Sequence, residues 1–106
     1  MAFSESEIQQ VWEKGRGLPE HDAGEWRQDE CGAWLRRDAY EHEGAEYGWR
    51  IVNTSLGGPD TVENLRPLHV GNHFDRANDK AQCHISADRT GVPPTGAVDH
   101  PRNRPL

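Results

Sequence analysis

Long apolar stretches are absent from this 106-residue chain, and hydrophobic residues are few throughout, at 33%. No run approaches the roughly 18 apolar residues of a membrane-spanning helix, and no signal-peptide pattern opens the sequence. Membrane insertion and secretion are therefore not expected. Cysteine is nearly missing as well. Cys31 and Cys83 are the two cysteines. They are too few for a disulfide framework and form no CxxC pair, so reduced thiols and a cytoplasmic setting are expected. With a mean hydropathy of −0.98, the chain has material for one small core. Chains this poor in apolar residues often complete a core by pairing, and a homodimer is expected.

Basic residues are also in the minority: twelve Lys and Arg stand against eighteen Asp and Glu, a net of −6 at pH 7. The deficit lies in residues 1–87, with nine basic and sixteen acidic side chains, whereas residues 88–106 carry three and two. Such a body repels a phosphate backbone unless its cations cluster on one face. That argues against nucleic acid and for a cationic or neutral partner. Arg36, Arg37 and Arg50, on neighbouring strands, are the candidates for a positive face.

What is present is local punctuation. Ser4 with Glu7 is a capping box, and Ile8, Val11 and Trp12 then fall at helical spacing until Gly15 and Gly17 end the run. Residues 20–30 read as an acidic loop. Strands are expected within CGAWLRRDAY (31–40) and YGWRIVN (47–53), a turn at Leu56–Asp60, an extended piece at Leu65–His69 and a short helix over 70–80. Residues 88–106 hold Gly91, Pro93, Pro94, Gly96, Pro101 and Pro105 and almost nothing apolar. They read as a tail or a dimer arm on a single domain of residues 1–87.

The order WEKG, WRQDECGAWLRR, YGWRI, GG and ENLRPLHVGNH resembles a group of small HNH-type endonuclease-like proteins across residues 11–80. The resemblance implies an α+β fold, a degenerate ββα core behind an N-terminal helix with an extended Pro-rich C-terminal arm. It also implies that Asn64 braces the central loop and that His73 sits on the metal-binding helix. His69 and Asn72 take positions that hold zinc cysteines in other branches. Val52 and Asn53, however, stand where the family has its metal-binding Asp and general-base His. Valine binds no cation, and an amide accepts no proton near neutral pH. Nuclease chemistry, and with it any metal or other cofactor, is therefore not expected. One alternative keeps a structural zinc: His69 and His73, four apart on a helix, would share a face and join Cys31 or Cys83.

The unexplained residues lie between 26 and 43. Trp26, Trp34, Arg37 and Tyr40 suit the walls of a groove for a peptide. Arg27 and Gln28 are candidate donors to carbonyl or carboxylate groups, and His42 or Glu43 a candidate base. The blander reading of these residues is that the tryptophans fill the core and Arg27 pairs with Asp29 or Glu30. In size, Arg-rich and Lys-poor composition and acidic body, the chain is similar to the lysinoalanine-forming accessory proteins of cinnamycin- and duramycin-type lanthipeptide clusters. That similarity implies a metal-independent tailoring enzyme that adds a lysine amine to dehydroalanine in a ribosomal peptide, mostly by holding the two ends together. The other expectation, of a different class, is a catalytically dead HNH-like module that binds DNA or a protein.

Overall fold

The computed structural model describes residues 3–92, 96 and 100–106. Among these it has one α-helix and eight short strands paired two by two into four antiparallel hairpins. Helix α1 spans Glu5–Trp12, and both halves of the capping box form: the Glu7 amide donates to Ser4 Oγ and the Ser4 amide to Glu7 Oε1. Its Ile8, Val11 and Trp12 are buried, as the helical spacing predicts.

Strands β1 (Trp26–Gln28) and β2 (Trp34–Arg36) pair with Gln28 opposite Trp34. Strands β3 (Trp49–Asn53) and β4 (Leu65–His69) pair with Trp49 opposite His69 and Val52 opposite Arg66. Trp12, Trp34 and Trp49 have no exposed surface and fill the core, whereas Trp26 is only half-buried. Ile8, Trp12, Leu35 and Trp49 form the core, and Phe3, Tyr40 and Ile51 pack onto it. The Trp12 and Trp49 rings lie 5.2 Å apart, and the Trp12 indole N–H donates to the Ala23 carbonyl. Gly48 admits the loop that covers Trp49, because a Cβ there would lie 2.0 Å from the His42 carbonyl oxygen.

The expected ββα core is not there. Residues 70–80, read as the helix of that core, instead contain β5 (His73–Asp75) and lead into β6 (Lys80–Gln82), the third hairpin. The reason is chemical. The Asp75 carboxylate accepts from both the amide and the side chain of Asn78, and Asp79 takes a positive φ of 52°. Asn and Asp favour these turn conformations over a helix interior. Gly71 meanwhile packs so closely on Ile85 that a Cβ would lie 2.6 Å from it. Residues 26–28, read as loop, are strand β1.

The cysteines are not free. Cys31 and Cys83 form a disulfide that ties the β1–β2 turn to the segment leading into β7 (Ile85–Ala87). The expectation of reduced thiols is corrected, and the cytoplasmic setting loses the ground on which it stood. The tail also differs. Strand β8 (Asn103–Pro105) pairs with β7 of its own chain, and the Asn103 side chain bonds both the amide and the carbonyl of Trp34. The described end of the supposed dimer arm therefore lies on its own body, while Pro93 and Pro94 lie outside the described residues. No helix among the described residues is long and apolar enough to cross a membrane.

Candidate functional site

The β1–β2 turn is built around Asp29, 5% exposed. Its Oδ1 accepts from the amides of Cys31 and Ala33, and its Oδ2 from the amide of His69 and the side chain of Asn72. Gly32 closes the turn at φ +84°, a conformation that favours glycine. Asn72, fully buried, passes the connection on: its amide also donates to the Ile85 carbonyl, and its Oδ1 accepts from the amides of His84 and Ile85. One buried carboxylate and one buried amide thus join β4, the β1–β2 turn and β7.

Arg27 is the second brace. Its guanidinium donates to the carbonyls of Ala23, Glu13 and Gly15, which locks the end of α1 against β1. The candidate donor is therefore structural, and neither of its suggested partners, Asp29 or Glu30, holds it. Lys14 acts similarly, donating to the carbonyls of Val62 and Leu65. Burial, then the nearby Arg66 charge, hold its ammonium pKa below the usual lysine value.

These braces frame a cleft of about 520 Å³ between the segment after α1, the β1–β2 turn and β4. Lys14, Arg16, Gln28, Glu30, Cys31 and Arg66 are on its walls. Glu30 pairs with Arg66 at 3.5 Å. The side chains of Arg16 and Gln28 have no hydrogen-bond partner among the described residues. Of the catalytic and substrate-binding candidates singled out from sequence, Gln28 alone lines this cleft.

The others are dispersed. Trp26 meets the Tyr47 and Trp34 rings edge-on, with Arg36 over its face. Arg37 bonds Gln9 and pairs with Glu5 at 3.4 Å. Tyr40 packs on Trp49. Its phenol pKa is pushed up to about 12, first by burial and then by a hydrogen bond with Glu41. His42 and Glu43 are exposed in the following loop and line neither this cleft nor Arg27. The groove expected over residues 26–43 is thus divided among core, surface and loop.

Nor do the zinc candidates converge. The cysteines are bonded to each other, His73 is on β5 rather than a helix, and both nitrogens of His69 are occupied. The Gly71 amide donates to His69 Nδ1, so the proton is on Nε2, which donates to the Glu46 carbonyl. Among the described residues no three His, Cys, Asp or Glu side chains gather where they would hold a metal ion. Asn53, in the supposed base position, braces the turn by donating to the Gly58 and Pro59 carbonyls, and Asn64 donates to Pro59 as well.

Sequence reasoning missed Lys14, Arg16 and Arg66, since residues 50 apart carry no local spacing signal. Fold and site together define a small disulfide-bonded protein of β-hairpins with a cation-lined cleft. No family model matches the chain, and neither does any curated protein or solved structure.

Proposed function

We propose that this protein is a binding module that takes an acidic segment of a peptide or protein partner into the cleft beside Gln28. The observation that carries this reading is the placing of Lys14, Arg16 and Arg66 around one cleft of a chain whose net charge is −6. Lys14 is fixed by carbonyls, Arg16 is unpaired among the described residues, and Arg66 has a long ion pair with Glu30 beside its contact with the Phe74 ring. An incoming carboxylate would take the place of Glu30 on Arg66 and accept from Gln28 and Arg16. Charge-assisted hydrogen bonds of this kind contribute about 1.5–3 kcal/mol each. The acidic body, which by itself favours a cationic or neutral partner, repels any extended polyanion, DNA included, so the acidic segment is short and its carboxylates are confined to the cleft.

The test is calorimetric titration of a Glu-rich peptide against the same peptide with Gln in place of Glu. The Glu peptide is expected to bind, with Arg66→Gln and Arg16→Gln each weakening it about tenfold. Equal binding of both peptides, or unchanged affinity in both variants, would sink the reading.

A second reading is favoured by Gln28, which lines the cleft with an unbonded amide. Here the protein is the lysinoalanine-forming enzyme. Gln28 and Arg16 hold a substrate carboxylate, the lysine nitrogen adds to Cβ of dehydroalanine, and the amine proton ends on Cα. His42 and Glu43 take no part, and the base is a carboxylate of the substrate. The assay is mass spectrometry of a dehydrated lanthipeptide after thiol trapping, because ring closure leaves mass unchanged. Protection from the thiol by wild-type protein, lost in Gln28→Ala, is expected. Dehydroalanine as reactive with the protein as in buffer rejects this reading.

A further inference from the structure

A second concavity, of about 290 Å³, opens between β3 and β5, lined by Arg50, Val52, Asn53, His73, Phe74 and Arg76. None of these lining residues carries a carboxylate, although acidic side chains outnumber basic ones by half in the chain. The Asp60 carboxylate borders the site, its Oδ1 accepting from the Asn53 side chain at 2.8 Å. Arg50 is anchored: its guanidinium donates to the carbonyls of Val70 and Asn72 and lies 3.3 Å from His73 Nδ1. These partners fix its position without neutralising its charge. Arg76 is exposed and has neither a hydrogen bond nor an ion pair among the described residues. Phe74 is half-buried, with the Arg66 guanidinium 6.0 Å from its ring centre.

Two guanidinium groups and an imidazole on one concave surface, beside an aromatic ring and a valine, select for both charge and shape. A carboxylate brings a single charge and leaves one arginine unmatched. A phosphate monoester brings close to two charges and three acceptor oxygens, which suit the planar fork of Arg. We infer that this concavity is a binding site for a phosphate monoester whose organic part carries an aromatic ring. The phosphate sits between Arg50, His73 and Arg76, and the esterified group lies against Phe74 and Val52. Such a group belongs either to a small molecule, such as a nucleoside monophosphate, or to a phosphotyrosine side chain. None of its lining residues lines the Gln28 cleft, although Arg66 on that cleft's wall also reaches the Phe74 ring.

The experiment is a two-dimensional amide NMR titration of the whole, oxidised chain at pH 7.5 with inorganic phosphate, phenyl phosphate, adenosine monophosphate and a phosphotyrosine peptide. Phenyl phosphate is expected to shift amides in residues 50–53 and 73–76 saturably and to bind more tightly than inorganic phosphate. Arg76→Gln, at a position with no bonds to lose, should fold normally and weaken phenyl phosphate about tenfold. Phe74→Leu should erase the preference over inorganic phosphate. The tighter of the nucleotide and the peptide identifies the source of the group. The inference is overturned by absence of saturation with all four probes, by shifts confined to the Gln28 cleft, or by unchanged affinity in Arg76→Gln.

Discussion

Asp29 decides more of this structure than any other single polar residue. Four N–H groups from three parts of the chain end on its two oxygens. Asp29→Asn keeps the size but turns one oxygen into a donor, so two buried N–H groups lose their acceptor and face another N–H. Each unsatisfied buried donor costs about 1–3 kcal/mol. The variant should lose about 3 kcal/mol of stability in urea unfolding. A loss under about 0.5 kcal/mol would mean that water replaces the carboxylate. The tyrosines give a second test at the same scale. Burial raises the phenol pKa of Tyr40 to about 12, and burial with the neighbouring Glu46 also raises that of Tyr47. The folded state favours the neutral phenols. Their stabilisation is therefore complete below the ordinary value of 10.0 and is lost as pH rises toward about 12. Absorbance at about 295 nm should show both tyrosines ionising late while folded, and unfolding should follow in the same alkaline window. Ionisation at the free-phenol pH in folded protein would contradict this.

At the scale of elements, the short helix is the part whose sequence signal and structure agree most closely. Its capping box is local, since Ser4 and Glu7 need only each other. Ser4→Ala should cost about 1 kcal/mol. Because Ile8, Val11 and Trp12 carry the helix into the core, the loss should appear as a lower melting temperature of the whole protein, by about 4–8 °C. An unchanged melting temperature with reduced helical circular dichroism would mean that α1 frays independently. The hairpins are less legible. β3 stands out through its β-branched and aromatic residues. β1 is three residues long and polar on either side, and it is held as much by the Arg16–Gln28 bridge as by its own composition. The 70–80 segment misleads because His69 and His73 sit at helical spacing while Asp75, Asn78 and Asp79 specify a turn.

For the whole molecule, the disulfide offsets a thin core. Its cysteines are 52 residues apart, and closing a loop of that length reduces unfolded-chain entropy by about 4 kcal/mol at 25 °C. Stability of many small domains is of that order. The Cys31→Ser, Cys83→Ser double variant, or wild type in dithiothreitol, should melt far below the oxidised protein or fail to fold at 37 °C. Matching melting curves with and without reductant would show that the core suffices alone. Since Cys31 is also on the wall of the cleft, the reduced protein should lose cleft binding together with its fold.

The sequence by itself determined what depends on neighbours a few residues away: the cap and apolar stripe of α1, with Trp12 on its buried face, and the strands around Trp34 and Trp49. It also settled the bulk charge. Tertiary structure alone decided which groups are spent and which are left to act. Arg27 reads as a site residue or as the partner of Asp29 until the fold supplies three carbonyls to Arg27 and four N–H groups to Asp29. Arg16 and Arg66, 50 residues apart, meet across a cleft for which no local pattern exists. The physical reason is the same in each case. Propensity and capping act over one turn, whereas the satisfaction of a buried polar group and the pairing of two cysteines depend on chain that arrives from elsewhere.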